Sequence, residues 1–108
     1  MGNAKQLTQD QKKRFRAIGH QLKPIVTVAG NGLTEGVIAE VDRALEDHEL
    51  IKVKVSVGDR QIRAQAIEEL CQQTKATMVQ TIGNMALLLR RAKQPNAKLS
   101  NLQRFKDK

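Results

Sequence analysis

Three glycines and an asparagine separate an apolar run from an amphipathic run in the stretch VAGNGLTEGV, residues 28–37. Glycine adopts positive φ angles freely and asparagine tolerates them, so Gly30-Asn31-Gly32 can form a sharp turn between a strand and a helix. The missing Cβ atoms also let a ligand touch the main chain. Because the helix that begins at about Thr34 brings free N–H groups and the positive end of its dipole to this turn, the stretch is typical of a site for a phosphate-sized anion.

Three interpretations of this stretch remain open. One is that Gly30 and Gly32 only shape a tight connection between a strand and a helix, as glycine turns often do. Another is a dinucleotide fingerprint, although the spacing to Gly36 is irregular and Asp59 lies beyond the usual offset of the ribose-binding acid. The third is a clamp on a nucleic-acid backbone, like the GXXG loops of small α/β RNA-binding modules. A nucleotide P-loop is excluded, because no Gly-Lys-Ser/Thr follows.

The other reactive side chains do not form a catalytic or metal-binding set. His20 and His48 are far apart in the sequence, and neither has the spacing of a metal ligand. Cys71 is the single cysteine, which excludes an internal disulfide and indicates a reducing compartment, and its position on an apolar stripe predicts core packing. The sequence therefore predicts a protein that is not an enzyme and takes no cofactor, metal or small-molecule substrate.

The charge of the chain favours a polyanionic partner. Its 108 residues carry 19 Lys and Arg against 11 Asp and Glu, a net charge of +8. Residues 24–50 contain one basic group and six acids, whereas residues 1–23 contain six basic groups and one acid. We therefore expect a bipolar molecule whose second helix is acidic and points away from the anion.

The sequence indicates a soluble cytoplasmic protein. No window approaches the roughly 20 consecutive apolar residues that cross a bilayer. The first ten residues, MGNAKQLTQD, lack the apolar region of a signal peptide, and Gln6 stands where a myristoylation site requires Ser or Thr. We expect no membrane partner and a monomeric state.

Local patterns predict the helices and strands. The spacing of Thr8 and Gln11 is that of a capping box, which starts a helix over residues 8–20. A strand over residues 25–28 and a helix over residues 34–48 follow. The first helix has one apolar side, with Leu7, Phe15, Ile18 and Leu22, and an opposite cationic side with Lys12, Lys13 and Arg16.

The second half of the chain is predicted in the same way. Residues 51–57, IKVKVSV, alternate between apolar and polar types, which predicts a strand with one solvent-exposed face. Asp59 is a suitable N-cap for a helix over residues 60–74. Gly83-Asn84 indicates a hairpin. The order α-β-α-β-α-β-β predicts an α/β (α+β) two-layer sandwich, in which helices cover one face of a four-stranded mixed sheet. This domain takes in residues 1–92, and residues 93–108 are predicted to be a basic, mobile tail with room for a weak helix at Leu99, Leu102 and Phe105.

Residues 22–55 read LKPIVTVAGNGLTEGVIAEVDRALEDHELIKVKV. This segment closely resembles the CRM domain family, typified by bacterial YhbY-like proteins bound to precursors of the large ribosomal subunit. DRQIR, VQTIG and the first helix extend the resemblance to residues 7–91. It implies a fold like the C-terminal domain of the third bacterial translation initiation factor and RNA binding through a GxxG loop and nearby basic residues. The loop falls on Ala29-Gly30-Asn31-Gly32, where Ala29 replaces the first glycine. Lys75 replaces a glycine that usually closes the third helix.

The scarcity of aromatic residues restricts the mode of RNA binding. The chain has no Trp or Tyr, and Phe15 lies on a buried stripe, so a base-stacking platform cannot be built. We expect contacts to phosphate and sugar, which read RNA shape, with Lys23 beside the loop. The predicted contact residues are Lys12, Lys13, Arg16, Lys23, Ala29, Gly30, Asn31, Gly32, Thr34, Lys52, Lys54, Arg90 and Arg91.

The function predicted from the sequence is that of an RNA-binding factor for assembly of the large ribosomal subunit, with ribosomal RNA as its partner. The alternative is a protein-interaction module that uses the acidic second helix against a basic ribosomal protein.

Overall fold

A computed structural model describes residues 7–104, and these residues form four helices and four strands. The elements in chain order are α1 (Gln9–Gly19), β1 (Pro24–Val28), α2 (Glu35–His48), β2 (Leu50–Val55), α3 (Arg60–Thr74), β3 (Thr77–Ile82), β4 (Met85–Leu89) and α4 (Asn101–Arg104). The first seven elements occur in the predicted order, which confirms the α/β fold class.

The four strands form one mixed sheet in the order β1-β2-β4-β3. β1 and β2 are parallel, and β4 is antiparallel to both β2 and β3. This confirms the predicted four-stranded mixed sheet. Because β1 and β2 are parallel, the loops that follow them lie at the same end of the sheet, together with the hairpin at Gly83-Asn84.

Side-chain caps begin the three long helices where the sequence predicts them. The hydroxyl of Thr8 accepts a hydrogen bond from the N–H of Gln11, and the Gln11 side chain accepts one from the N–H of Thr8, which completes the capping box. The side chains of Thr34 and Asp59 cap α2 and α3 in the same manner. These caps satisfy N–H groups that have no partner within the helix, so they fix where each helix begins.

The sheet divides the core into two hydrophobic clusters. The first joins β1, β2 and β4 to α2 and α3, and its buried residues are Val26, Val28, Val41, Ala44, Leu45, Ile51, Val53, Val55, Ile67, Leu70, Ala86 and Leu88. The second joins α1 and α4 to β2, β3 and β4, and its buried residues are Phe15, Ile18, Leu50, Val79, Leu87, Leu89 and Leu102.

Helices therefore lie on both faces of the sheet, and the expectation that they cover a single face is wrong. In β4, Ala86 and Leu88 face α2 and α3, whereas Leu87 and Leu89 face α1. A strand that is apolar on both sides needs cover on both sides. α1 supplies the second cover, and its apolar side, predicted from Phe15 and Ile18, packs against that face.

The prediction of a mobile tail from residue 93 is wrong for residues 99–104, which pack against the domain. Ser100 is fully buried and its hydroxyl donates a 2.6 Å hydrogen bond to Oε1 of Glu49. The side-chain amide of Asn101 donates to the carbonyl of Leu50, and Leu102 joins the second hydrophobic cluster. The weak helix expected in this segment forms as α4, whereas Phe105 lies outside the described residues.

No helix within residues 7–104 combines the length and the apolar character that crossing a bilayer requires.

Candidate nucleic-acid interface

The glycine stretch forms a closed turn at the end of β1. The N–H of Gly32 donates a 2.7 Å hydrogen bond to the carbonyl of Ala29, and the N–H of Thr34 donates to the carbonyl of Gly32. Gly32 has a φ of 71°, whereas Ala29, Gly30 and Asn31 are outside the positive-φ region. Only Gly32 is therefore required to be glycine by the backbone conformation of the turn. For the same reason, the alanine at position 29 is compatible with the turn.

The fold does not require a glycine at position 30. It is exposed, as is Asn31, and a Cβ atom added to Gly30 would meet no atom within 4 Å. Neither packing nor φ excludes a side chain there. The interpretation in which both glycines merely shape the turn thus explains Gly32 and leaves Gly30 unexplained. A bare main chain at an exposed position suits close approach by an external ligand.

The turn leads directly into α2 and faces the positive end of its dipole. Thr34 caps the helix by accepting a hydrogen bond from the N–H of Val37, and the earlier N–H groups of the first turn have no partner within the helix. Glu35 is the acidic residue in the first turn of α2, and its carboxylate stabilises the helix by interacting favourably with the dipole. The helix dipole would stabilise an anion bound here, and the negative charge of the Glu35 carboxylate would offset part of this stabilisation.

Main-chain hydrogen bonds hold the turn against its neighbours at one end of the sheet. The N–H of Ser56 donates to the carbonyl of Val28, and the N–H of Val55 donates to the carbonyl of Asn84. The amide of Asn84 also reaches the hydroxyl of Ser56 at 3.4 Å. We call residues 29–34, 56–59 and 83–84 the loop end of the sheet.

Cationic residues lie on the sheet face that α1 covers. Lys54 is the cross-strand partner of Thr27, and Lys52 that of Pro24, so both lysines alternate with the core residues of β2. Both are half-buried, whereas the sequence pattern placed them in water. α1 packs on this same face and carries Lys12, Lys13 and Arg16, of which Lys13 is exposed and the other two are half-buried.

Lys23 is separated from the turn that it was expected to flank. It precedes β1, and the six residue steps from Lys23 to Ala29 place it roughly 20 Å from the turn at about 3.3 Å per residue. The expectation of a lysine beside the loop is therefore wrong for Lys23. Lys54 lies closer, because its partner Thr27 is two residues from Ala29.

Arg90 and Arg91 lie at the opposite end of the sheet, after β4. The guanidinium of Arg90 donates to Oδ1 of Asp42 at 2.6 Å, to the carbonyl of Thr74 at 2.8 Å and to the carbonyl of Asp42 at 2.9 Å. It also approaches Glu46 at 3.4 Å, and the side chain is only 20% exposed. Arg90 thus joins α2, α3 and β4, and these internal contacts engage the guanidinium that was predicted to contact RNA. Arg91 places its guanidinium 5.8 Å from the ring centre of Phe15.

Two arginines at the loop end were missed by reasoning from the sequence. Arg60 and Arg63 occupy the first turn of α3, which begins at the loop end because β2 is parallel to β1. Among the described residues neither arginine forms an ion pair. The sequence signal for these arginines was the order of strand, glycine turn and capped helix, which occurs before Thr34 and again at Gly58-Asp59. A parallel pair of strands brings both such turns to one edge of the sheet.

Two residues considered for chemistry have structural roles. Burial and, to a lesser extent, the carboxylate of Glu68 together raise the pKa of the Cys71 thiol to about 11. A thiol with a raised pKa is a poor nucleophile at neutral pH, in agreement with the predicted packing role. Nδ1 of His48 lies 2.9 Å from the carbonyl of Leu99. Within residues 7–104, no three His, Cys, Asp or Glu side chains are grouped to hold a metal ion.

Comparison with known proteins gives consistent matches. The model of the CRS1 / YhbY (CRM) domain matches residues 7–90. The chain is 57% identical to a protein of Pseudomonas aeruginosa named a probable RNA-binding protein, over 92% of this chain and 95% of that one. It is 44% identical to a Haemophilus influenzae protein named an RNA-binding protein, over 86% and 94% of the two chains. A solution structure of a hypothetical Staphylococcus aureus protein, considered a candidate for RNA binding, superposes with a TM-score of 0.72 at 34% identity and covers 82% of this chain and 93% of that one.

Proposed function

Because the chain belongs to the CRS1 / YhbY (CRM) domain family, we propose that it binds RNA, and that the exposed turn Ala29–Gly32 grips the sugar-phosphate backbone. The observation that carries this proposal is Gly30, whose missing side chain is required neither by its φ angle nor by its surroundings. A side chain at this position would keep a phosphate away from the main chain. The fold tolerates a side chain there, whereas a phosphate seated against the main chain would not.

The turn supplies an anion site through its position. Main-chain N–H groups and the positive end of the α2 dipole both favour a phosphate at Gly30 to Thr34. Lys54 adds a cation on the neighbouring strand, and Arg60 adds another at the start of α3. A polyanion that lies along the loop end can therefore contact several positive groups at once.

We propose that the cations of α1 bind a second part of the RNA. Lys12, Lys13 and Arg16 lie on the helix that covers the sheet face carrying Lys52 and Lys54. An RNA backbone that crosses from the turn onto this face meets successive positive charges. Such contacts give affinity and orientation with little sequence information, so the protein recognises the shape of a folded RNA.

The RNA partner that we propose is ribosomal RNA in precursors of the large ribosomal subunit, where the protein acts in assembly without catalysing a reaction. A net charge of +8 on a chain of 108 residues supports a partner with a high density of phosphate. With RNA as the partner, we propose a location in the cytoplasm.

The alternative, a protein-interaction module based on acidic α2, is weakened by the ion pairs of Arg90. Asp42 and Glu46 are both paired with this arginine, and Glu49, which follows the helix, is buried. The acidic face is thus partly neutralised from within the molecule. Glu35, Glu40 and Asp47 remain as acids of α2 outside these pairs.

Crosslinking in cell extract tests the proposal, followed by sequencing of the RNA that the protein retains. Gly30→Asp is the informative variant, because Gly30 lacks a positive φ and has open space around it, whereas Asp at Gly32 would strain the backbone. We expect ribosomal RNA of the large subunit from the unmodified protein and a strong loss of crosslinks from Gly30→Asp and from Lys12→Glu. Crosslinks that both variants retain would refute the site, and competition by duplex DNA as effective as by RNA would refute the preference for RNA.

A further inference from the structure

A groove lies between α3 and the edge strand β3, on the sheet face opposite α1. It encloses about 350 Å³ and is open to solvent. Its apolar lining includes Ile67, Cys71 and Met78, and the side chain of Met78 is 46% exposed. An exposed apolar lining on an edge strand is unusual unless something covers it.

The end of this groove joins the loop end of the sheet. Gly83 of the hairpin lines the groove, and its neighbour Asn84 is hydrogen-bonded to Val55 and Ser56. Ser56 in turn binds the carbonyl of Val28, immediately before the glycine turn. The turn and the groove are separated by three strand spacings, roughly 14 Å at about 4.8 Å each.

The charges around the groove indicate the occupant. Arg60 and Arg63 line it, and Glu68 is the single acid among its lining residues. A guanidinium plane both attracts phosphate and stacks on a base, which a lysine does not do equally well. An occupant with an anionic backbone and a flat, partly apolar body complements this lining.

We infer that the groove receives an unpaired nucleotide of the RNA, with its base against Met78 and Ile67 and its phosphate beside Arg60 and Arg63. This inference rests on the proposed function and adds to it that part of the bound RNA is single-stranded. Within residues 7–104 the single Phe, Tyr or Trp side chain is that of Phe15, which is buried and cannot stack on a splayed base. The arginine pair supplies a different way of holding the base. A base that remains paired in a duplex cannot enter the groove.

NMR of the full chain, labelled with ¹⁵N and with ¹³C at the methionine methyl groups, reports occupancy of the groove and of the glycine turn directly. Met78 lies in the groove, whereas Met85, the partner of Lys54, reports the opposite face. Oligo(A) RNA at low salt is a suitable probe, because even non-specific complexes form at about 10⁻⁴ to 10⁻⁶ M. We expect oligo(A) to shift the Met78 signal, and the oligo(A)·oligo(U) duplex to shift the amide signals of Gly30 and Gly32 without shifting Met78.

Paired variants give a second measurement. Met78→Asp and Leu99→Asp add the same charge at an exposed apolar residue, but Leu99 lies at the other end of the sheet, where its carbonyl meets Nδ1 of His48. We expect Met78→Asp to weaken binding of oligo(A) about tenfold and Leu99→Asp to change it less than about twofold. Equal effects of the two variants would overturn the inference.

The outcomes separate the groove from the proposed function. If oligo(A) shifts the Gly30 and Gly32 signals but leaves Met78 unchanged, the groove inference is wrong and RNA binding by the turn stands. A poly-glutamate peptide that shifts Met78 when oligo(A) does not would assign the groove to an acidic protein partner and overturn the inference. If neither RNA shifts any loop amide, the proposed function fails and the inference fails with it.

Discussion

Thr27 and Lys54 lie opposite each other in the parallel pairing of β1 and β2, two residues before the glycine turn begins at Ala29. This pairing puts a lysine on the strand next to the turn, at a separation of about 4.8 Å between the strands. The lysine and the turn come from segments that are 25 residues apart in the sequence, so the parallel register is what brings them together.

Lys54 is expected to neutralise one phosphate of the bound RNA. In Lys54→Gln, we expect the slope of log K against log salt concentration to become shallower by about 0.7 to 0.9, since one counterion fewer is released. Titrations at several salt concentrations measure this slope. Lys98→Gln, which removes a lysine at the other end of the sheet, is the control and should leave the slope unchanged. An unchanged slope for Lys54→Gln would remove this residue from the interface.

Arg90 is expected to stabilise the fold without contributing to RNA binding. Arg90→Met leaves the carbonyls of Asp42 and Thr74 without their donor, and we expect the free energy of unfolding to fall by about 1 to 3 kcal/mol. The contribution of charge is small, because Asp42 and Glu46 are both more than half exposed. Denaturant unfolding measures the loss, with Arg43→Met, a change at an exposed arginine of α2, as the control. An RNA affinity that drops for folded Arg90→Met would contradict the internal role.

Lys75 closes α3 in a left-handed conformation, with a φ of 59° and a ψ of 33°. Glycine adopts this conformation without the steric cost of a Cβ atom, so Lys75→Gly should raise the free energy of unfolding by about 1 kcal/mol. Lys75→Ala removes the same charge and keeps the cost, so it should not stabilise. Thermal melts of the unmodified protein and the two variants measure this difference. Equal melting temperatures for the glycine and alanine variants would show that a Cβ atom at position 75 has no steric cost.

Ser100 is expected to hold residues 93–104 against the domain. Ser100→Ala leaves Oε1 of buried Glu49 without its donor, and we expect a loss of stability of about 1 to 3 kcal/mol. Trypsin should then cut faster after Lys93 and Lys98, whose segment has lost its anchor. Gln94→Ala, a change at an exposed residue of the same segment, is the control. Cleavage at the rate of the unmodified protein would show that Leu102 and Asn101 dock the segment unaided.

Features that depend on neighbouring residues could be predicted from the sequence. The capping box of Thr8 and Gln11, the N-caps Thr34 and Asp59 and the hairpin at Gly83 all depend on contacts within a few residues, and the structure has each of them. The order of the elements follows from these local signals. The exposed turn at Gly30 could be predicted for the same reason.

Features that depend on distant pairings could not be predicted in this way. The run MALLL at residues 85–89 is apolar at every position, so its pattern does not show that Leu87 and Leu89 need a helix on their own face. Arg90 reaches Asp42 across 48 positions of the chain, and no local pattern distinguishes this arginine from the exposed Arg91. Lys23 adjoins the glycine stretch in the sequence, but the length of an intervening strand keeps the two apart.

The affinity of Gly30→Asp for the RNA recovered by crosslinking tests the central claim most directly. Gln73→Glu is the matched control, because it adds one negative charge at an exposed position near the opposite end of α3. By fluorescence anisotropy, we expect Gly30→Asp to weaken binding by about tenfold or more and Gln73→Glu by less than about twofold, with both variants melting near the unmodified protein. If the folded Gly30→Asp variant binds this RNA as tightly as the unmodified protein does, the glycine turn does not hold the RNA backbone.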